Sequence, residues 1–296
     1  MITAILWALK ICMVGFGIVL GKDLYQNRNV FEKETSFPIM LGIGWIADFF
    51  DTLGIGSFAL TVAMAKATKQ LKDRIIPGTL NVAHTIPTLC EAIIFTSIVG
   101  VESLTLIAMI LSSVVGAWLG AGFVSRMEET KIQRIMGIAL LITSILMTAG
   151  IMKWMPIGGN SLKLSGLLLI VGCVGNFALG ALMTAGVGLY APCMALVAIL
   201  GMNPKAAFPI MMGSCAFLMP VASVKFISEG AYDRKATLAI TIAGVVGVLV
   251  AAYVVKSLPL ELMRWLVVAV VLVTSITMIR RSFRKPLDSH RDAMNS

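Results

Sequence analysis

Charge is what this 296-residue chain has least of: 13% of its residues are Asp, Glu, Lys or Arg, about half the share a water-facing surface needs. Histidine is rarer still, with two residues, and the five cysteines (Cys12, Cys90, Cys173, Cys193, Cys215) show no CxxC spacing and no histidine at ligand spacing. These shortages exclude whole classes. A disulfide scaffold and a Cys/His metal site lack their ligands, so the cysteines read as small buried hydrophobes. No HExxH, GxSxG or Walker A pattern is present, which removes the common catalytic and ATP-coupled readings. Soluble-enzyme and nucleic-acid-binding readings fall with the low charge.

What remains is apolar. With 58% hydrophobic residues and a mean hydropathy of +0.93, the chain is expected to be an all-α polytopic membrane protein. At roughly 20 apolar residues per crossing, its length allows on the order of seven to nine helices and no second folded domain. Apolar runs fall at about 2–21, 37–66, 75–98, 103–125, 131–152, 162–201, 204–227, 235–256 and 260–280. The first has no basic n-region or A-x-A site, so it is expected to be a retained helix and not a signal peptide. Two runs, 37–66 and 162–201, are too long for one crossing. Each is interrupted by paired glycines, Gly54-Ile55-Gly56 and Gly186-Val187-Gly188.

These interruptions recur at a fixed distance. A shift of 132 residues superposes Thr52, Gly54, Gly56, Ala59, Ala63 and Pro77 on Thr184, Gly186, Gly188, Ala191, Ala195 and Pro209, and a shift of 131 superposes Val114-Val115-Gly116 on Val245-Val246-Gly247. The chain therefore divides into a leader helix and loop (1–35), one repeat (36–153), a second repeat (161–281) and a tail (282–296). Such duplication marks secondary-transporter folds.

Basic residues indicate how the broken runs thread. If each crosses once, alternate sides collect 10 and 13 Lys and Arg; if each returns to its starting side, the split becomes 18 to 5, with Lys10 inside the leader. Only the second division obeys the positive-inside rule. The expectation is two inverted repeats, each opening with a returning broken segment followed by three transmembrane helices. The N-terminus is then outside and the C-terminal tail cytoplasmic. The net charge of +9 becomes a skirt facing anionic lipid, a partner the bilayer itself supplies, and no nucleic-acid partner is implied.

Irregular backbone at membrane depth survives only inside protein or beside a polar cavity. Each break therefore marks a cavity wall, and the half-helices starting at Ser57 and Leu189 turn their positive ends toward it. Two such ends suit an anion. Thr52, Gly54, Gly56, Ser57, Thr184, Gly186, Gly188 and Tyr190 are the expected binding residues at the breaks. Asn81, His84, Thr85, Thr88 and Glu91 form one polar stripe on the next helix, from which Asn81, His84 and Thr85 join the expected site, with Ser214 from the related helix. Pro87 and Pro220 sit inside those two helices.

Asp48 and Asp51 precede the first break on one helical face and have Gly180 and Met183 as repeat mates. Acids at that depth are function candidates, and with His84 and Glu91 they form an expected proton-coupling set. The 19 methionines are scattered and read as packing. Lys225 is expected to snorkel. Lys10 receives no role, and nothing in the sequence assigns an oligomeric state.

At this point the chain resembles the sulfite exporter TauE/SafE family of membrane permeases, from about 36 to 281. The carriers are Gly54-Ile55-Gly56 with its following apolar half-helix, Gly186-Val187-Gly188-Leu189-Tyr190-Ala191-Pro192, Asn203-Pro204-Lys205-Ala206-Ala207, and Val114 to Gly120. The resemblance implies movement of a small sulfur-containing anion, sulfite or an organosulfonate, across the cell membrane, facilitated or proton-coupled, with no cofactor and no metal. The residues leave two other readings open. One is a cation or metal carrier using Asp48, Asp51, His84 and Glu91. The other is a thiol-disulfide electron carrier, although Cys193, Cys215 and Cys90 map onto Thr61, Ala83 and Ala222 in the opposite halves.

Overall fold

A computed structural model of the chain describes residues 2–95, 101–154, 158–253 and 260–283. The described residues are helical, with elements α1 (Ile2–Gln26), α2 (Phe37–Thr52), α3 (Ser57–Ala67), α4 (Ile76–Phe95), α5 (Ser103–Val124), α6 (Glu129–Ile151), α7 (Gly166–Thr184), α8 (Tyr190–Ile199), α9 (Ala207–Ser228), α10 (Arg234–Tyr253) and α11 (Leu260–Phe283). Six of these, α1, α5, α6, α7, α9 and α10, are long and apolar enough to cross a membrane. Large apolar side chains stay uncovered on their outer faces, among them Trp7, Ile11 and Ile18 on α1 and Trp118 and Phe123 on α5. Lipid is the solvent that accepts such faces. Almost all of the tail expected at 282–296 lies outside the described residues.

Both overlong runs are broken helices. Gly54 and Gly56 have φ of 80° and 96°, and Gly186 has φ of 91°, a backbone region glycine enters without the Cβ clash that penalises other residues. Chain direction changes there, ending α2 and starting α3, and ending α7 and starting α8.

Hydrogen bonds show that each broken segment comes back to the end where it began. The Ser36 N–H donates to Gln70 Oε1 at 2.6 Å, joining the entry of α2 to the exit of α3. At the other end of the bundle the Asn203 N–H donates to the Ser161 carbonyl at 2.8 Å and the Gly159 N–H to the Met202 carbonyl at 3.0 Å, joining the entry of α7 to the exit of α8. The first end is rich in charge pairs. Lys66 bonds Asp73, Gln133 donates to Asp73, Arg126 meets Glu229 at 2.7 Å, and Arg234 Nε donates to Asp23 at 2.8 Å. Lys225 also belongs here and pairs with Glu229 at 3.3 Å. Lys10 lies over the Trp7 ring, 5.3 Å from its centroid.

Asp233 anchors this end. It caps α10 by accepting the Ala236 N–H at 2.7 Å, accepts the Thr35 hydroxyl at 2.5 Å, and donates its own N–H to Thr79 Oγ1 at 2.9 Å. Burial, helped by neighbouring Glu32, pushes its carboxyl up to about 6 against the lowering effect of the Ala236 and Thr35 hydrogen bonds. Glu32 in turn accepts the N–H groups of Arg234 and Lys235.

The halves pack reciprocally. Helix α2 lies along α10, and α7 lies along α5. Gly247 approaches the Trp45 carbonyl as Gly116 approaches the Phe177 carbonyl, and the sequence shifts carry each pair onto the other. Elsewhere on the same pair of helices Gly44 rests on the Ile240 backbone, while at the related place Asn176 Nδ2 donates to the Met109 carbonyl at 2.7 Å. Small residues permit this closeness, as they do between membrane helices generally. The remaining packing follows the same exchange: α4 on α9, α6 on α11, α3 on α11 and α8 on α6.

Candidate functional site

The two breaks meet at a cavity of about 20 Å³, enough for roughly one water. Its walls come in repeat-related pairs. Asp51 and Met183, Gly56 and Gly188, Ser57 and Leu189, and Phe58 and Tyr190 all line it, and each pair is separated by the 132-residue shift. Thr88 of α4 and Cys215 and Met219 of α9 complete the lining. The cavity thus lies where the halves exchange contacts.

The pairs differ chemically. At the α3 end, Asp51 Oδ1 accepts the Ser57 N–H and Asp51 Oδ2 the Ser57 hydroxyl, each at 3.0 Å. A carboxylate of the chain itself therefore sits on the positive end of that half-helix, which is where such a charge is stabilised. At the α8 end the corresponding residue is Met183, and no side chain caps the helix among the described residues. One half-helix end carries its own anion and the other stands bare.

Behind Asp51 a buried polar network runs along α4. His84 Nδ1 lies 2.7 Å from Asp48 Oδ1 and His84 Nε2 lies 3.0 Å from Thr61 Oγ1, so one ring nitrogen faces a carboxylate and the other a hydroxyl that can donate or accept. Glu91 Oε1 is 2.6 Å from the Thr52 hydroxyl, which also back-bonds the Asp48 carbonyl at 2.8 Å. Tyr190 donates to Glu91 Oε2 at 3.2 Å, tying α8 of the second half to α4 of the first. Asp48, Asp51, His84 and Glu91 are all essentially inaccessible to solvent. Asp48 Oδ2 has no hydrogen-bond partner among the described residues and faces Gly244 of α10.

The sequence-predicted residues divide accordingly. Gly56, Ser57, Gly188 and Tyr190 line the cavity, and so does Asp51. Gly54 and Gly186 shape the breaks without lining it. Thr52 and His84 belong to the network behind. Thr184 back-bonds the Ala181 carbonyl at 2.7 Å beside Gly120. Asn81 donates to the Pro77 carbonyl, and Thr85 pairs with the Asn81 carbonyl and Ser223. Ser214 accepts from Asn176 at 2.9 Å. All five residues of the α4 stripe are buried, but of them only Thr88 reaches the cavity. Sequence reasoning missed Phe58, Thr88, Met183, Leu189, Cys215 and Met219 as lining. Phe58 and Met183 were legible in principle, because they are the repeat mates of Tyr190 and Asp51.

Two other readings meet the geometry here. No group of three or more His, Cys, Asp or Glu among the described residues is arranged to hold a metal ion. Cys193 and Cys215 are both fully buried, and Cys215 Sγ contacts Met183 Sδ at 3.8 Å.

The fold and the cavity together define a multi-pass helical membrane protein built around two glycine-broken segments. A family model described as Sulfite exporter TauE/SafE matches residues 2–147 and 168–295. The chain belongs to that family, and it is a membrane transporter of the sulfite-exporter kind. No curated protein and no solved structure matches it.

Proposed function

We propose that the protein is a secondary carrier that moves a small sulfur oxyanion, sulfite or an organosulfonate, across the cytoplasmic membrane by alternating access of two inverted halves. The observation that supports this most is the cavity at the junction of the two breaks, with one uncapped half-helix end and hydroxyl donors on its wall. An anionic group placed at the α8 end would meet oriented backbone N–H groups with no Arg or Lys needed. The cavity is smaller than such an anion, so substrate enters only a wider state. This narrow arrangement is read as a state between the inward and outward openings.

Direction within the membrane follows from charge. The end bearing Lys66, Arg126, Lys225 and Arg234 is placed in the cytoplasm, with the N-terminus of α1 outside. Protons are the proposed coupling ion, held by the Asp48, Asp51, His84 and Glu91 set, since buried ionisable groups beside a transport site are the usual proton carriers.

The test is flux in proteoliposomes. Uptake of sulfite, sulfate, sulfoacetate and a carboxylate control is measured with and without an imposed pH gradient. Gradient-dependent movement of one sulfur anion, weakened in Ser57→Ala and in His84→Gln, supports the proposal. Absence of anion flux, together with divalent-cation flux that needs Asp48 and Asp51, would replace it with the cation-carrier reading.

A further inference from the structure

Of the three buried acids around the breaks, only Asp51 lines the cavity. Asp48 is turned to His84, and Glu91 to Thr52 and Tyr190. Asp51 alone combines contact with the transport path and possession of a half-helix end. Its carboxylate accepts both an N–H and a hydroxyl from Ser57, the two kinds of donor an oxyanion would use. Its repeat mate Met183 leaves the opposite end unoccupied. One half-helix end thus carries an anionic group of the chain itself, and the other carries none.

We propose that Asp51 is a tethered counter-anion that fixes the coupling stoichiometry: a monovalent substrate anion settles at the α8 end as the Asp51 carboxylate takes up one proton, and the pair crosses together. Resting on the carrier reading above, this specifies which acid couples and in what ratio. The step balances in charge. Before binding the cavity holds one carboxylate; afterwards it holds one substrate anion and a neutral carboxyl, which keeps one oxygen as acceptor for Ser57. Two anions facing each other between the two half-helix ends would repel in so apolar a setting. The coupling is therefore a co-transport, not an exchange of proton for anion. The groups facing Asp51 from the packed elements are Asp48 on α2, His84 and Glu91 on α4, Tyr190 on α8 and Cys215 on α9. His84 and Asp48 form their own pair, and Tyr190 and Glu91 another, which leaves Asp51 as the group whose charge the substrate meets.

The experiment uses isethionate, a sulfonate that stays singly charged throughout the working pH range, with the full chain in proteoliposomes. One proton per anion makes transport electroneutral, so a potassium-valinomycin potential leaves the wild-type rate unchanged. Each unit of imposed pH gradient then sustains about tenfold accumulation. In Asp51→Asn the pH gradient sustains an accumulation near one, and the membrane potential drives the flux instead, because each crossing now carries one charge. Asp51→Glu restores pH-driven accumulation. Undiminished pH-driven accumulation in Asp51→Asn overturns the proposal, as does a folded Asp51→Asn protein, judged by its elution profile, that exchanges no isethionate. If Asp51→Asn does not fold, the wild type decides: potential-sensitive isethionate flux overturns the proposal and potential-insensitive, pH-driven flux supports it. A wild type that moves neither sulfite nor isethionate under any gradient overturns the carrier reading itself.

Discussion

Replacing Gly244 by alanine tests a close polar contact between α10 and α2. A Cβ at Gly244 would fall on Asp48 Oδ2, and it would stand 2.9 Å from Asp48 Cγ and 2.9 Å from Pro87 Cγ. Asp48 is fully buried and its other oxygen is held by His84 at 2.7 Å, so the carboxylate has nowhere to turn without giving up that bond. Alanine in a helix interior gains up to about 1 kcal/mol over glycine. Overpacking takes back about 1–3 kcal/mol, and a weakened hydrogen bond to a charged group about 1.5–3 kcal/mol more. The net expectation is a loss of about 2–4 kcal/mol, or on the order of 5 °C in the detergent melting temperature. Gly42→Ala is the control, since nothing lies within 4 Å of a Cβ there and the propensity gain should stand alone. In an Asp48→Ala background most of the obstruction disappears and only Pro87 remains, so the Gly244→Ala loss should shrink by about 1–3 kcal/mol, a coupling readable from the double-mutant cycle. Equal melting of Gly244→Ala and wild type, or an undiminished loss in the Asp48→Ala background, would refute the reasoning.

Other predictions follow from the same geometry. Gly56 has φ of 96° and no neighbour within 4 Å of an added Cβ, so Gly56→Ala should cost about 1–2 kcal/mol from backbone strain alone; its mate Gly188 needs no positive φ, so Gly188→Ala should melt within a degree or so of wild type. Asp233 is raised to about 6, and a carboxyl raised above its ordinary value makes the folded state bind the extra proton. Stability should therefore fall as pH rises from about 4 through 6, and Glu32→Gln, which removes a nearby charge, should move that fall to lower pH in melting scans. Tyr190→Phe removes the hydroxyl that joins α8 to Glu91 at 3.2 Å while leaving the ring in place. It should raise the KM for anion uptake more than it lowers kcat if that hydroxyl binds substrate; an unchanged KM would remove it from the site.

Much of the frame was readable because it rests on repetition and on charge. The paired glycines, the 132-residue shift and the lopsided Lys and Arg distribution gave broken segments, and the Ser36 to Gln70 and Asn203 to Ser161 hydrogen bonds bring each segment back to its own end. The site was readable only in part. Polar type and helical spacing singled out Asn81, Thr85 and Ser214, but a stripe on a helix does not say which neighbour it meets, and these three satisfy backbone or cross-helix partners. Apolar wall residues such as Met183 and Leu189 carry no local signal at all. Ser57 illustrates a different gap: a serine opening a half-helix reads as a donor for substrate, while the carboxylate six residues earlier that claims both of its donors depends on the turn through Gly54 and Gly56.

The same turn explains how an acid came to sit in a frame of matched halves. Under the repeat shifts the Asp48 and Gly244 contact corresponds to Gly180 and Ser113, and Gly180 approaches the Ser113 carbonyl as Gly244 approaches Asp48. At one crossing the small residue lies on the broken segment and at the other on the long helix. At the first the glycine meets the Ser113 backbone, and at the second it makes room for the Asp48 side chain. Moving the glycine to α10 frees position 48 on α2 for a carboxylate, and the same helix turn presents Asp51 to the cavity. Charge thus stands in one half while α2 packs along α10 as α7 packs along α5. A carrier assembled from two identical walls could bind an anion equally at both ends, but it would have no group that titrates as the anion binds. On the proposed carrier reading, the asymmetry at 48 and 51, set against Gly180 and Met183, is what would couple transport to protons.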